Sequence, residues 1–443
     1  MELKKYKLGD IAKIEISGVD KKSVDGETPV RLCNFVDVYR NWAITQKLSE
    51  NFMIASAKET EIAKCSIHKG QVAITKDSET RDDIGIPAYI ADDFDNVLLG
   101  YHCALITPND DVLDGKYLNA FMHTRYIQKY FENNASGSGQ RYTLSNETIF
   151  QIPILLPSLE VQKAIGNLLS NIDRKIELNR QINDNLEKMA KQLYDYWFVQ
   201  FDFPNENGRP YKSSGGAMVW NEKLKREIPK EWDNCTLEYY LIIKNGRDHK
   251  HLGNGIYPVY GSGGEIRKVD SFIYSGESIL MPRKGSLNNI MYVNDAFWSV
   301  DTMFYSEMKQ PHCAKYVFYS IKDIDFTRWD SGTGVPSMTS STLYSILLVK
   351  PDADSLAKFD EIITPLFLMI KKNEMQIVEL TKQRDDLLPL LMNGQASVNY
   401  HLAHSLATFS ILYRHKPKDI ENEKNSYTHR CGWNGNHFIQ RAA

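Results

Sequence analysis

The feature that most constrains this chain is a pattern of apolar residues that occurs twice, 194 residues apart. Taking Ile165 as heptad position a, the a series is Ile165, Ile172, Asn179, Leu186 and Leu193, and the d series is Leu168, Lys175, Ile182, Met189 and Tyr196. Apolar residues fill most of that seam, which predicts one long helix over 158–203 packed against a partner helix. Ile176, Asn179, Leu186 and Leu193 recur in the same order as Ile370, Asn373, Leu380 and Leu387. The loop Ser136-Gly137-Ser138-Gly139 recurs as Ser331-Gly332-Thr333-Gly334 ahead of the second copy. The chain is therefore a tandem of one plan, a globular part followed by a long helix.

With 443 residues, 42% of them hydrophobic and 25% charged, the chain has the composition of an ordinary globular protein of two or three domains. A net charge of −3 gives no overall basicity, so any surface that attracts phosphate must be local. Six cysteines without a CxxC pair, and no signal peptide at Met1-Glu2-Leu3-Lys4-Lys5, predict a cytoplasmic protein with free thiols. The longest apolar run, Ile362 to Ile370, is too short to span a bilayer and carries Thr364-Pro365, so no membrane role is expected.

Residues 1–157 alternate short β-rich runs (Ile11 to Ile16, Gln71 to Thr75, Asn96 to Leu99) with turns. One helix is expected over Gly115 to Phe131, and an apolar strand over Ile149 to Leu156. After the first long helix, 204–227 is rich in Asn, Gly, Ser, Lys and Pro and reads as a connector. A second β-rich part follows over 228–352, with runs at Tyr257 to Tyr260, Ser278 to Met281 and Ile290 to Val293. The second long helix, 353–395, carries Phe359, Ile362, Leu366, Met369, Ile370, Ile377, Leu380, Leu387 and Leu390 on its seam. Pro365 should kink it, or mark its start with Thr364 as cap, and Gly394 ends it. The tail, 396–443, has no counterpart in the first half and reads as poorly ordered.

Several of these stretches are characteristic together. Leu156-Pro157-Ser158-Leu159-Glu160-Val161-Gln162 opens the first helix, and Trp197-Phe198-Val199-Gln200-Phe201-Asp202-Phe203 closes it. The Gly208 to Gly216 connector, Ile228-Pro229-Lys230-Glu231-Trp232 and Arg384 to Gly394 complete the set. In this order the chain up to about residue 400 resembles the DNA-specificity subunit of type I restriction-modification systems. The resemblance implies an α+β protein, with two mixed α/β target-recognition domains separated by two long helices that form an antiparallel coiled coil. It also implies a non-catalytic chain that binds double-stranded DNA and assembles with two methyltransferase subunits and with translocase-nuclease subunits. S-adenosylmethionine, ATP and magnesium would then bind those partners, with no cofactor in this chain.

A helix of about 39 residues is about 58 Å long, which corresponds to roughly 17 base pairs of duplex, so such a pair can act as a ruler between two half-sites. Asn179 and Asn373 occupy the same heptad position near mid-helix; facing each other, they would fix the register of the pair. The DNA-contact candidates lie at the Gly/Ser loops, where small residues let the backbone approach phosphates while neighbours reach base edges. In the first part these are Lys76, Arg81, Ser136, Ser138, Gln140, Arg141 and Tyr142. In the second they are Arg247, His249, Lys250, Ser262, Arg283, Lys284, Ser286, Arg328, Ser331 and Thr333. A solvated surface role is the commoner fate of any one such residue.

Neither His249 and His251 nor His429, Cys431 and His437 has a second half at ligand spacing, so no metal is expected. The glycines at 253–264 match neither a phosphate-binding loop nor a dinucleotide fingerprint. No Asn-Pro-Pro-aromatic or Asp-Pro-Pro-Tyr methyltransferase motif occurs. A stand-alone DNA-modifying enzyme and a coiled-coil scaffold without sequence-specific binding are the alternative readings.

Overall fold

The structure, a computed structural model, describes residues 3–137, 139–329, 336–398 and 412–413. The chain divides into two compact units, residues 1–170 with 385–443, and residues 171–384.

The first unit is built on a five-stranded sheet with Val72–Thr75 at its centre, flanked by Cys103–Pro108 and Ala12–Ile16 on one side and by Pro87–Ile90 and Ala43–Ile44 on the other. Every residue of Val72-Ala73-Ile74-Thr75 is buried, as a central strand covered on both faces requires. A second sheet orders Met53–Ala57, Thr28–Cys33 and Val97–Leu99. Val38, Ile44, Ile67, Ala73, Ile90, Leu99 and Leu105 form much of the core between these layers.

Two elements differ from the sequence expectation. The helix expected over 115–131 is two helices, Gly115–Met122 and Arg125–Asn134. The break is at Thr124, whose extended backbone (φ −70°, ψ 150°) makes it the N-cap of the second. The expected strand over 149–156 is a short helix, Asn146–Phe150, followed by the strand Pro153–Leu156. Ser145 caps that helix by accepting the Thr148 N–H at 3.0 Å, and a Ser N-cap outweighs the apolar character of Ile149 and Phe150.

The first long helix is α-helical over Leu159–Tyr194 and passes into a π-helical turn, Asp195–Val199. Its start is locked to the first unit by Gln162, which is almost fully buried. The Gln162 amide accepts from the Asp114 N–H and donates to the Val112 and Pro157 carbonyls, each at 3.0 Å. Gly166 belongs to the same contact, since a Cβ there would lie 2.8 Å from the Tyr117 backbone nitrogen.

In the second unit a six-stranded sheet runs in the order Leu241–Asn245, Met303–Met308, Tyr274–Pro282, Met291–Ser299, Asn254–Gly261, Gly264–Val269. Trp197, Phe198, Phe201, Trp232, Tyr240, Tyr316, Phe359 and Ile363 share one core, which joins the end of the first long helix, the connector, the helix Ala314–Lys322 and the second long helix. The connector is more ordered than its composition predicts. The Asp202 carboxylate accepts from the Ser213 N–H at 2.7 Å and hydroxyl at 2.6 Å, Tyr211 stacks on Phe203 at 4.7 Å, and Met218–Asn221 pairs with Arg226–Pro229.

The second long helix is continuous over Ala353–Met392, so Pro365 lies inside it and does not start it. Paired side chains show that the two helices run antiparallel. Trp197 meets Phe359 at 5.8 Å, Asn373 donates to Asn183 at 2.8 Å, and Arg384 stands 3.5 Å from Asp173. From the aromatic pair to the Asn pair, numbering falls by two heptads on one helix and rises by two on the other. Asn179 and Asn373 are both buried but do not face each other, as Asn179 donates to Gln376 at 3.2 Å. The register is offset by about one turn from the aligned-ends expectation.

The seam itself also differs by half. Ile165, Asn179 and Leu186 of the expected a series are buried, but Ile182, Met189 and Tyr196 of the d series are exposed. Leu168 of the d series is buried, and the other buried positions alternating with the a series are Leu169, Ile176, Asn183, Ala190 and Trp197. On the second helix Ile362 and Met369 are likewise exposed, while Phe359, Ile363 and Asn373 are buried. Past Met392, Ala396–Ser397 pairs with Leu412–Tyr413; the rest of the tail lies outside the described residues.

Candidate nucleic-acid interface

In the first unit the candidates converge on a three-stranded ribbon formed by Ser136–Gly137, Tyr142–Thr143 and Asp77–Ser78. Lys76 anchors it, its N–H donating to His102 at 2.7 Å and its carbonyl accepting from Leu144 at 2.9 Å. The Arg81 guanidinium lies 5.0 Å above the Tyr142 ring, a cation–π contact. Ser136 donates to the Thr143 carbonyl at 3.3 Å, and Gln140 is exposed. Arg141 reaches His102 and stands 3.5 Å from the Asp77 carboxylate. Ser138 lies outside the described residues.

Three members of this cluster escape sequence reasoning: Asp77, Tyr101 and His102. His102 donates to Asp77, its backbone has φ +66°, and the Tyr101 ring packs against it at 3.9 Å. Tyr101 and His102 fall in a tight turn between the apolar strands Val97–Leu99 and Cys103–Pro108, distant in sequence from the ribbon they meet. A Tyr-His pair at a turn between two buried strands is the one signal the sequence offers.

In the second unit hydrogen bonds join four loops. The Arg283 and Lys284 N–H groups donate to the Thr302 carbonyl at 2.8 and 3.1 Å, and the Gly246 N–H donates to Met303 at 3.0 Å. The Arg247 N–H donates to Ser299 at 2.8 Å, and the Asn289 amide donates to the Ser262 carbonyl at 2.8 Å. The Val300–Met303 turn thus stands between the loop bearing Arg247, His249 and Lys250 and the loop bearing Arg283, Lys284 and Ser286. Arg267 fastens the first of these, donating to the His249 ring at 3.1 Å and its carbonyl at 2.5 Å. Arg328 pairs with Asp325 at 3.2 Å, and Asn288 ties Asp325 to the second loop at 3.2 Å. Ser331 and Thr333 lie outside the described residues.

No group of three or more His, Cys, Asp or Glu residues suited to a metal occurs among the described residues. Among these residues, too, no helix is long and apolar enough to cross a membrane. The five described cysteines are free thiols, and burial raises those of Cys33, Cys65, Cys103, Cys235 and Cys313 above the ordinary range.

Two β-rich units with basic loops, each attached to a long helix, are the geometry against which known proteins can be compared. Residues 1–188 match the family described as type I restriction modification DNA specificity domain. That stretch takes in the first globular part and most of the first long helix. The likeness to specificity subunits extends well beyond it. The chain is 26% identical over 378 residues to the type I restriction enzyme MjaIX specificity subunit of Methanocaldococcus jannaschii, covering 77% of this chain and 81% of that one. It is 31% identical over 141 residues to the HindI specificity subunit of Haemophilus influenzae, 32% of this chain and 30% of that relative. In fold it is similar to the S subunit of a type I restriction-modification system from M. genitalium, with TM-score 0.59 at 16% identity over 88% of this chain and 96% of that one. The shared fold is one of mixed α/β units joined to two long helices.

Proposed function

We propose that this specificity subunit binds double-stranded DNA sequence-specifically, each recognition domain reading one half of a bipartite target, and that it carries no catalytic step of its own. The observation that supports this most is the pair of separate loop clusters, Lys76–Arg81–Arg141–Tyr142 and Arg247–Arg283–Lys284–Arg328, each gathered on its own unit. Arginine and lysine at such loops supply phosphate contacts and can donate to guanine.

The helix pair is the proposed dock for two methyltransferase subunits. Leu178, Ile182 and Met189 on the first helix and Leu368, Met369, Met375 and Val378 on the second are exposed apolar residues. Residues of this kind on a helix surface suit burial against partner helices. Translocase-nuclease subunits would join for restriction, and S-adenosylmethionine, ATP and magnesium would be bound by partners. With a net charge of −3, the chain should bind DNA modestly alone and more tightly, with stronger salt dependence, once partners add basic surface.

The test is a titration of the chain, with and without its methyltransferase partner, against random and split-target duplexes. Preference for the split target, tightened by the partner and no longer tightened after Ile182→Glu with Met189→Glu, is the expected result. Equal binding to all duplexes rejects sequence recognition, and turnover without partners rejects a non-catalytic role.

A further inference from the structure

The three residues Asp77, His102 and Arg141 form a chain of contacts that ends at the surface. The imidazole Nδ1 is hydrogen-bonded to the Asp77 carboxylate. Arg141 Nη2 lies 2.9 Å from the ring Nε2 and 2.8 Å from Nδ1, and 3.5 Å from Asp77 Oδ2. A carboxylate only accepts, so the imidazole donates to Asp77 through Nδ1, while the Arg141 guanidinium, which only donates, lies against the ring. The gradient of exposure follows the same order: the side chains are 15% exposed at Asp77, 29% at His102 and 59% at Arg141.

Each part is held from behind. Asp77 sits in the ribbon, paired with Thr143, and the His102 carbonyl accepts from Lys76. His102 keeps a left-handed backbone, φ +66°, that only a fixed turn maintains in a residue with a side chain. Arg141 uses one nitrogen, Nη2, for these contacts, and its Nη1 and Nε make no hydrogen bond with a described residue. A planar guanidinium held at one nitrogen, with 59% of its side chain exposed, can present Nη1 and the second Nη2 hydrogen to the two parallel acceptors of guanine, O6 and N7. Arg81 has no such support, as its guanidinium rests on the face of Tyr142.

We infer that Arg141 reads a guanine in one half-site, and that His102 and Asp77 are positioning residues that hold its guanidinium for that contact. This rests on the DNA-recognition reading above and names the base and the residues that determine it. Holding the side chain before DNA arrives removes much of the entropy cost of ordering an arginine, so the gain appears as discrimination at one base pair.

The test uses the full chain with its methyltransferase partner. Target sequences are selected from randomised duplexes, and the guanines of the selected target are then replaced singly by 7-deazaguanine, which lacks the N7 acceptor. The expected result is a roughly 10- to 100-fold loss of wild-type affinity at one guanine, and no sensitivity to that replacement in Arg141→Ala. His102→Ala and Asp77→Asn should lower preference at the same base and leave the other half-site unchanged. Adding His102→Ala to Arg141→Ala should change nothing further, which distinguishes positioning from general destabilisation. The inference is overturned if the complex stays sequence-specific while these variants keep wild-type preference at every base. It is also overturned if Arg141→Ala weakens all sequences alike, as loss of a phosphate contact would. Selection of no sequence at all by the wild-type complex would overturn the DNA-recognition reading as well.

Discussion

Lys315 shows at residue scale how the second unit is tied to the long helix. Its ammonium, on a side chain only 4% exposed, lies 2.6 Å from Glu277 and 2.9 Å from Asp360 of the second long helix. Asp360 also pairs with His312 at 2.9 Å, and Tyr292 donates to Glu277 at 2.5 Å. Burial alone would raise the Asp360 carboxyl, but Lys315 and His312 together hold it below the usual range. Removing the one buried cation leaves two carboxylates without it, so Lys315→Met should destabilise the unit by about 3 kcal/mol or more. Denaturant unfolding of the full chain, followed by tryptophan fluorescence, measures this; a loss below about 1 kcal/mol would show that the network carries little. None of these partnerships is legible in the sequence, where Glu277, Lys315 and Asp360 are ordinary charged residues in three separate elements. His102 escaped for the same reason, since its partners come from strands that meet it only after folding.

At the scale of elements, the periodicity located both long helices but misassigned half of the seam; their antiparallel pairing was implied by the family resemblance alone. The a series Ile165 to Leu193 was legible because its members are apolar or Asn at strict spacing. The other half of the seam includes Asn183 and Ala190, which do not stand out as core residues, whereas Ile182 and Met189 do and are exposed. An apolar stripe kept for a partner helix cannot be told from one buried within the chain by hydropathy alone.

The Asp173–Arg384 contact gives a pH test of this pairing. Burial, its largest influence, raises the Asp173 carboxyl from 3.8 to about 6, against the opposing pull of Arg384. The folded state then holds this proton more tightly than the unfolded state, so the contribution to stability is present at low pH and is lost as pH rises from about 4 through about 6. A shift of about two units corresponds to about 3 kcal/mol at most. Asp173→Asn mimics the protonated form and should match wild type near pH 4 while melting higher at pH 8. A difference between the two proteins that does not change with pH would contradict this assignment.

For the whole molecule, the internal repeat was the decisive sequence signal, because two copies of a helix with a loop ahead of each imply two modules of one plan. What it could not supply was which loops converge. Arg247 and Arg283 are brought together through the Val300–Met303 turn, a contact between distant strands of the six-stranded sheet. The central claim is that two modules read two different half-sites. Sequencing the methylated adenines in cells carrying the complete system, with wild-type chain and with Arg283→Ala plus Lys284→Ala, tests it most directly. The account predicts a wild-type motif of two specified blocks separated by an unspecified gap of fixed length, with specificity relaxed in one block only in the variant. A single contiguous motif, or equal relaxation of both blocks, would contradict it.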